Sequence, residues 1–132
     1  MVSQENVEVV KAAFDAWNAG DMARLGDTYD PNAVMQTVPE WPEPGPYVGR
    51  EAVLGFFKRL RESQDFNSVE PNADFIEVAD HVLVRHSWRG LGRGPDMNMT
   101  TTAIFTLRGG RIIYHEYFWD HADALKAVGL EE

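Results

Sequence analysis

The sequence predicts an α+β domain in which helices come first and an antiparallel sheet follows. Three observations predict it. The first third places apolar residues at helical spacing, the chain after residue 69 reads as strands, and Gly109-Gly110 joins two alternating runs. Such a Gly-Gly pair is a strong short-range hairpin signal. Segregated helices and strands build α+β folds, whereas parallel sheets need the two to alternate. At 132 residues the chain is long enough for one domain with a real core and too short for two. Residues 1–132 are therefore expected to form a single domain, without internal repeat or linker.

The elements follow in order. Ser3 suits a helix N-cap, with Gln4 and Glu5 in the first turn and Val7, Val10, Phe14 and Trp17 as one apolar stripe. Gly20 ends that helix, and Asp21 caps a second one carrying Met22, Leu25 and Tyr29 before Pro31 stops it. Ala33 to Val38 reads as a short strand. The segment Pro39-Glu40-Trp41-Pro42-Glu43-Pro44-Gly45-Pro46 can be neither helix nor central strand, because its prolines lack backbone donors. Arg50 to Arg61 is a third helix burying Val53, Phe56, Phe57 and Leu60. Val69 to Val78 is a less regular strand, turning at Ala79-Asp80. His81 to Leu91 alternates clearly, with Val82, Val84, His86 and Trp88 on one face. After a loop from Gly90 to Asp96 comes the Gly-Gly hairpin, and Asp120 caps a short last helix holding Ala124, Leu125 and Val128.

Composition narrows the function. A net charge of −9 argues against nucleic acid, which needs a basic surface, and against an anionic membrane surface. Neutral or weakly polar small molecules are the easier ligands. With no cysteine there is no disulfide, thiol nucleophile or thiolate metal site. The acidic N-terminus does not read as a signal peptide, no apolar run reaches membrane-spanning length, and a cytoplasmic protein is expected.

The hairpin carries the functional information, because its turn sets which side chains share a face. A two-residue loop pairs Arg108 with Arg111 and, continued, Thr100 with Trp119. One face then holds Thr100, Thr102, Ile104, Thr106, Ile113, His115, Tyr117 and Trp119, which looks like a pocket wall. The other holds Ala103, Phe105, Leu107, Ile112, Tyr114, Glu116 and Phe118, where Phe105, Tyr114 and Phe118 form an outward apolar patch suited to a second copy of the chain.

Four stretches together resemble the nuclear transport factor 2-like superfamily over essentially the whole chain: Ala16-Trp17-Asn18-Ala19-Gly20-Asp21, Gly49-Arg50-Glu51-Ala52-Val53, Leu107-Arg108-Gly109-Gly110-Arg111-Ile112 and Tyr117-Phe118-Trp119-Asp120. SnoaL-like polyketide cyclases and ketosteroid isomerases are closest in kind. The resemblance implies a cone: a curved antiparallel sheet wrapped around three N-terminal helices, with a deep apolar pocket, in a homodimer. It also implies where the isomerases' acids would fall. Their base would lie near Gln36-Thr37-Val38 and their second acid at Thr102, and neither is a carboxylate here. The dehydratases' first-helix aspartate is matched by Asn18. The superfold hosts enzymes, binding proteins and assembly domains alike, so function has to come from the site.

The candidate site has three polar members, His86, His115 and Tyr117. Pairing the third-from-last strand symmetrically about the Gly90–Asn98 loop sets His86 beside Thr102 and Thr102 beside Tyr117, so that the His86 and Tyr117 backbones lie two strand spacings, about 9–10 Å, apart. A neutral imidazole in an apolar pocket can act as base or acid, and a phenol can donate to a developing oxyanion. The ligand-binding wall is expected from Trp17, Tyr29, Gln36, Trp41 and Phe57, and from Val84, Trp88, Thr102, Ile104 and Trp119. The chemistry these groups suit is isomerase, cyclase or dehydratase proton transfer on a small apolar or aromatic carbonyl compound, without metal or cofactor. The alternatives are a non-catalytic ligand-binding protein and a structural dimerisation module, in which the same histidines and aromatics simply pack. Metal binding has weak support, since His81, His86, His115 and His121 lack the close spacing of a ligand pair.

Overall fold

The computed structural model describes residues 2–37, 45–63, 66–71, 75–90 and 98–129. Helix α1 spans Val2–Ala19 and α2 spans Met22–Asp27; strands β1 (Tyr29–Gln36) and β2 (Tyr47–Val48) then precede α3 (Arg50–Ser63). The rest is β3 (Phe66–Pro71), β4 (Ile76–Val78), β5 (His81–Gly90), β6 (Asn98–Arg108), β7 (Arg111–Phe118) and a last helix, α4 (His121–Ala127). The α+β class is as the sequence predicts.

Local chemistry explains the first boundaries. Gly20 has φ of +74°, and its N–H donates to the Trp17 carbonyl while that of Asp21 donates to Ala16, the double bond that closes a helix on a left-handed residue. Asp21 accepts from the Arg24 amide at 3.0 Å and so starts α2. That helix ends earlier than expected. Thr28 turns its hydroxyl back to the Leu25 carbonyl at 2.7 Å, so Tyr29 and Pro31 belong to β1 rather than to the helix. Pro31 is tolerated there because the ladder to β7 is irregular between Tyr29 and Val34.

The sheet runs β2-β1-β7-β6-β5-β3, with β4 also pairing β5, and does not close on itself. It is antiparallel except between β1 and β7, which are parallel. One face packs on α1, α2 and α3 through a core that includes Val10, Trp17, Leu25, Tyr29, Met35, Phe57 and Phe105. The other face is covered by α4, where Leu83 and Ile104 meet Ala124 and Leu125. Bulges between β1 and β7, β3 and β5, and β6 and β7 bend the sheet around the helices.

Two registers differ from expectation, each by one residue. Arg108 does pair with Arg111 and Leu107 with Ile112, but the next pair is Thr106 with Tyr114, leaving Ile113 as an extra residue on β7. Beyond that bulge Phe105 pairs with His115, Ala103 with Tyr117 and Thr102 with Phe118. Between β5 and β6, His86 pairs with Thr101 and Val84 with Ala103. The two slips cancel for the histidines: His86, His115 and Tyr117 still share the helix-facing side. They do not cancel for β6, so Thr102 and Ile104 point to the α4 side and Phe105 points inward. The outward patch of Phe105, Tyr114 and Phe118 is therefore corrected: Phe105 is core, and Phe118 packs with the α4 cluster.

Candidate functional site

On the helix-facing side lies a small cavity lined by Ala13, Phe14, Trp17, Leu25, Tyr29, Phe57, His86, Phe105, His115 and Tyr117. Helix α1 supplies one wall because Ala13, Phe14 and Trp17 fall at i, i+1 and i+4, within one helical face. Helix α3 contributes Phe57, β1 contributes Tyr29, and β5, β6 and β7 contribute the remaining aromatic and histidine side chains. The cavity volume is about 30 Å³. That is room for roughly one or two water molecules.

His115 is the centre of the aromatic cluster. Its ring stacks on Phe105 with centroids 4.1 Å apart and lies 4.4 Å from Tyr117. Its Nδ1 is 2.9 Å from the Tyr29 hydroxyl, and its buried Nε2 has no hydrogen-bond partner among the described residues. Burial, and then the nearby charge of His86, hold its pKa well below the ordinary imidazole range. It is therefore neutral at physiological pH.

His86 is held differently. Its Nδ1 lies 3.0 Å from the Val84 carbonyl, which can only accept, so Nδ1 carries the hydrogen. The lone pair is then on Nε2, where the Thr101 hydroxyl donates at 3.0 Å. Burial lowers its pKa to about 4 against a smaller upward pull from the Val84 hydrogen bond. Phe14 meets the ring edge-on at 5.5 Å, and Tyr117 lies 5.8 Å away. The tyrosines stay protonated, because burial pushes Tyr29 and Tyr117 well above the usual phenol range. The cavity can thus offer neutral hydrogen-bonding groups on apolar walls, and the described residues that line it include no carboxylate.

The structure brings His86, His115, Tyr117, Trp17, Tyr29 and Phe57 together as expected. Val84 is fully buried on the same face but packs in the core behind the cavity. Four expected wall residues are corrected. Thr102 faces α4, where its hydroxyl meets His121 Nδ1 at 2.9 Å, and Ile104 packs on Leu83 and the α4 residues. Gln36 pairs with Glu116, so it lies on the side opposite Met35 and His115. Trp119 follows the end of β7 and is 45% exposed. Trp41 and the side chain of Trp88 lie outside the described residues. The expected neighbours changed too, since Thr101 rather than Thr102 stands beside His86. Sequence reasoning missed Thr101, Phe105 and Phe14 as site residues. Phe14 carried a signal, three residues before Trp17 on one helix stripe; Thr101 and Phe105 needed the correct register. Among the described residues, no group of three or more His, Asp or Glu could hold a metal ion. No helix among them is long and apolar enough to cross a membrane.

Comparison with known proteins places this geometry. Bal32a, from a soil-derived mobile gene cassette, is 25% identical with a TM-score of 0.78, the alignment covering 87% of this chain and 88% of that one. A candidate polyketide cyclase from Sinorhizobium meliloti is 27% identical with a TM-score of 0.68, covering 83% and 93%. A protein with a ketosteroid isomerase-like fold from Catenulispora acidiphila, in complex with trimethylamine, is 20% identical with a TM-score of 0.71, covering 93% of each chain. No curated protein sequence matches the chain. The fold is that of the nuclear transport factor 2-like and cystatin-like α+β proteins. The SnoaL-like domain model matches residues 10–115, and the chain belongs to that family.

Proposed function

We propose that the cavity binds a small apolar or aromatic molecule bearing a carbonyl, and that the protein carries out general acid–base chemistry on it of the isomerase, cyclase or dehydratase kind. The observation that carries this reading is the convergence of two neutral histidines and a tyrosine on one aromatic cavity, with the buried Nε2 of His115 lacking a partner among the described residues. Buried polar groups are normally satisfied, so a side chain left open at a cavity is suited to a ligand. Small-molecule sites are mostly apolar with a few placed polar groups, which is the composition here. The resting volume is too small for a ring-sized molecule, so such a ligand has to move part of the wall. The relative complexed with trimethylamine shows that a fold of this kind can hold a molecule of few atoms.

A second reading is a binding protein without catalysis. It is favoured by His86, whose two ring nitrogens are occupied by Val84 and Thr101. Homodimerisation has the family resemblance as its support, now that Phe105 is in the core. Mass spectrometry of the purified protein for a co-purified compound, followed by re-addition of that compound, separates the readings. Catalysis requires the compound to be converted and the His86 or His115 NMR signals to shift on binding. A bound compound recovered unchanged supports the binding protein, and histidine signals that ignore it sink both readings.

A further inference from the structure

The two histidines present opposite faces of the same chemistry to the cavity. For His86 the Val84 carbonyl leaves no choice: hydrogen on Nδ1, lone pair on Nε2. For His115 the choice rests on Tyr29, whose hydroxyl lies 2.9 Å from Nδ1 and whose side chain is 1% exposed. Either the phenol donates to a bare Nδ1, or Nδ1–H donates to the phenol oxygen. In the first arrangement the Tyr29 hydrogen and the Nδ1 lone pair satisfy each other, and one group, Nε2–H, is left without a partner among the described residues. In the second, the Tyr29 hydrogen and the Nε2 lone pair are both left. Unmet buried groups are destabilising, so the first arrangement is favoured. Acid–base strength agrees, because a phenol is the better donor and an imidazole nitrogen the better acceptor.

We infer that Tyr29 is a positioning residue that fixes His115 as a neutral Nε2–H donor, so that the site selects uncharged molecules carrying an acceptor oxygen. This rests on the ligand-binding reading above and adds the substrate feature it must recognise. It also reassigns roles within the pair. His115 polarises a carbonyl oxygen as a donor, in a water-poor setting where such a contact is strong. The base of the pair is then His86, whose Nε2 lone pair accepts the Thr101 hydroxyl at rest. Proton transfer then needs no ionised side chain at rest: His86 Nε2 takes the proton from carbon as the carbonyl oxygen gains charge against His115 Nε2–H. Among the described lining residues a cationic amine would meet neutral donors and no carboxylate, and a hydrocarbon would leave Nε2–H unmatched.

The test is nitrogen-15 NMR of the histidine rings in the intact chain, with two ring probes of matched shape, cyclopentanone and methylenecyclopentane. Wild-type His115 is expected to show a protonated Nε2 and a bare Nδ1; a protonated Nδ1 overturns the assignment without any variant being needed. In Tyr29→Phe the bare Nδ1 loses its donor, and a mixture of tautomers is expected; an unchanged tautomer overturns the role of Tyr29. Cyclopentanone is expected to shift the His115 Nε2–H signal and to bind at least tenfold more tightly than methylenecyclopentane. Equal binding of the two overturns the acceptor selectivity. No response to either, with Nε2–H still in place, overturns the ligand-binding reading and leaves the hydrogen-bond assignment standing.

Discussion

A carbonyl oxygen with nothing to donate governs His86. Because Val84 fixes the hydrogen on Nδ1, the Thr101 hydroxyl is the group that satisfies Nε2, and both ring nitrogens are settled inside the protein. Replacing Thr101 by valine keeps the shape and removes the donor that the buried Nε2 lone pair accepts. The expected loss is about 1–3 kcal/mol of stability, the usual penalty for orphaning one buried partner. Urea unfolding should show it as a lower midpoint at unchanged slope, with Thr101→Ser retaining most of the wild-type value. A valine variant as stable as wild type would show that Thr101 does not hold His86. The histidines were legible in the sequence as inward groups on alternating strands. Thr101 was not, because its face depends on a pairing across the Gly90–Asn98 connection that local pattern does not determine.

Among the elements, β6 is the most enclosed, hydrogen-bonded along one side to β5 and along the other to β7. Strand β2 is its opposite, two residues at a sheet edge. Local opening is easiest where few bonds and little burial hold an element. Amide exchange should therefore be slowest in Ala103 to Phe105 and much faster at Tyr47 and Val48; comparable rates would contradict the sheet order. The same strands show what periodicity can and cannot supply. The first helix stripe and the Gly109-Gly110 turn read correctly, since each is a local property of a few neighbours, whereas Tyr29, expected on the second helix, lies in β1. Both turn glycines do have positive φ, +60° and +78°, as a tight hairpin needs. The bulge at Ile113 left no such trace. An extra residue on one strand is absorbed by the curvature of the whole sheet, and it moved Thr102, Ile104 and Phe105 across the sheet relative to the expected faces. The parallel β1–β7 pair was equally hidden, because it joins residues near opposite ends of the chain.

For the molecule as a whole, burying two neutral histidines links stability to pH. The unfolded chain binds a proton at each imidazole near pH 6.5, whereas His86 resists protonation until about pH 4 and His115 until well below the ordinary range. Below pH 6.5 the unfolded state therefore holds more protons than the native state, and stability falls as pH falls. The contribution is fully present above pH 6.5 and is lost progressively toward pH 4. The slope for a histidine held neutral approaches about 1.4 kcal/mol per pH unit, so by pH 5 His86 removes about 2 kcal/mol, a large part of a typical 5–15 kcal/mol, and His115 acts in the same direction. The window from pH 6.5 to 5 is therefore the one in which to measure the loss. Urea unfolding across that window should give a slope corresponding to about two protons in wild type. In His115→Phe, which keeps a flat ring against Phe105, the slope should fall to about one. A stability that stays flat from pH 7.5 to 5 would mean that neither ring is held neutral inside the fold, and with it the case for a neutral donor at the cavity would fail.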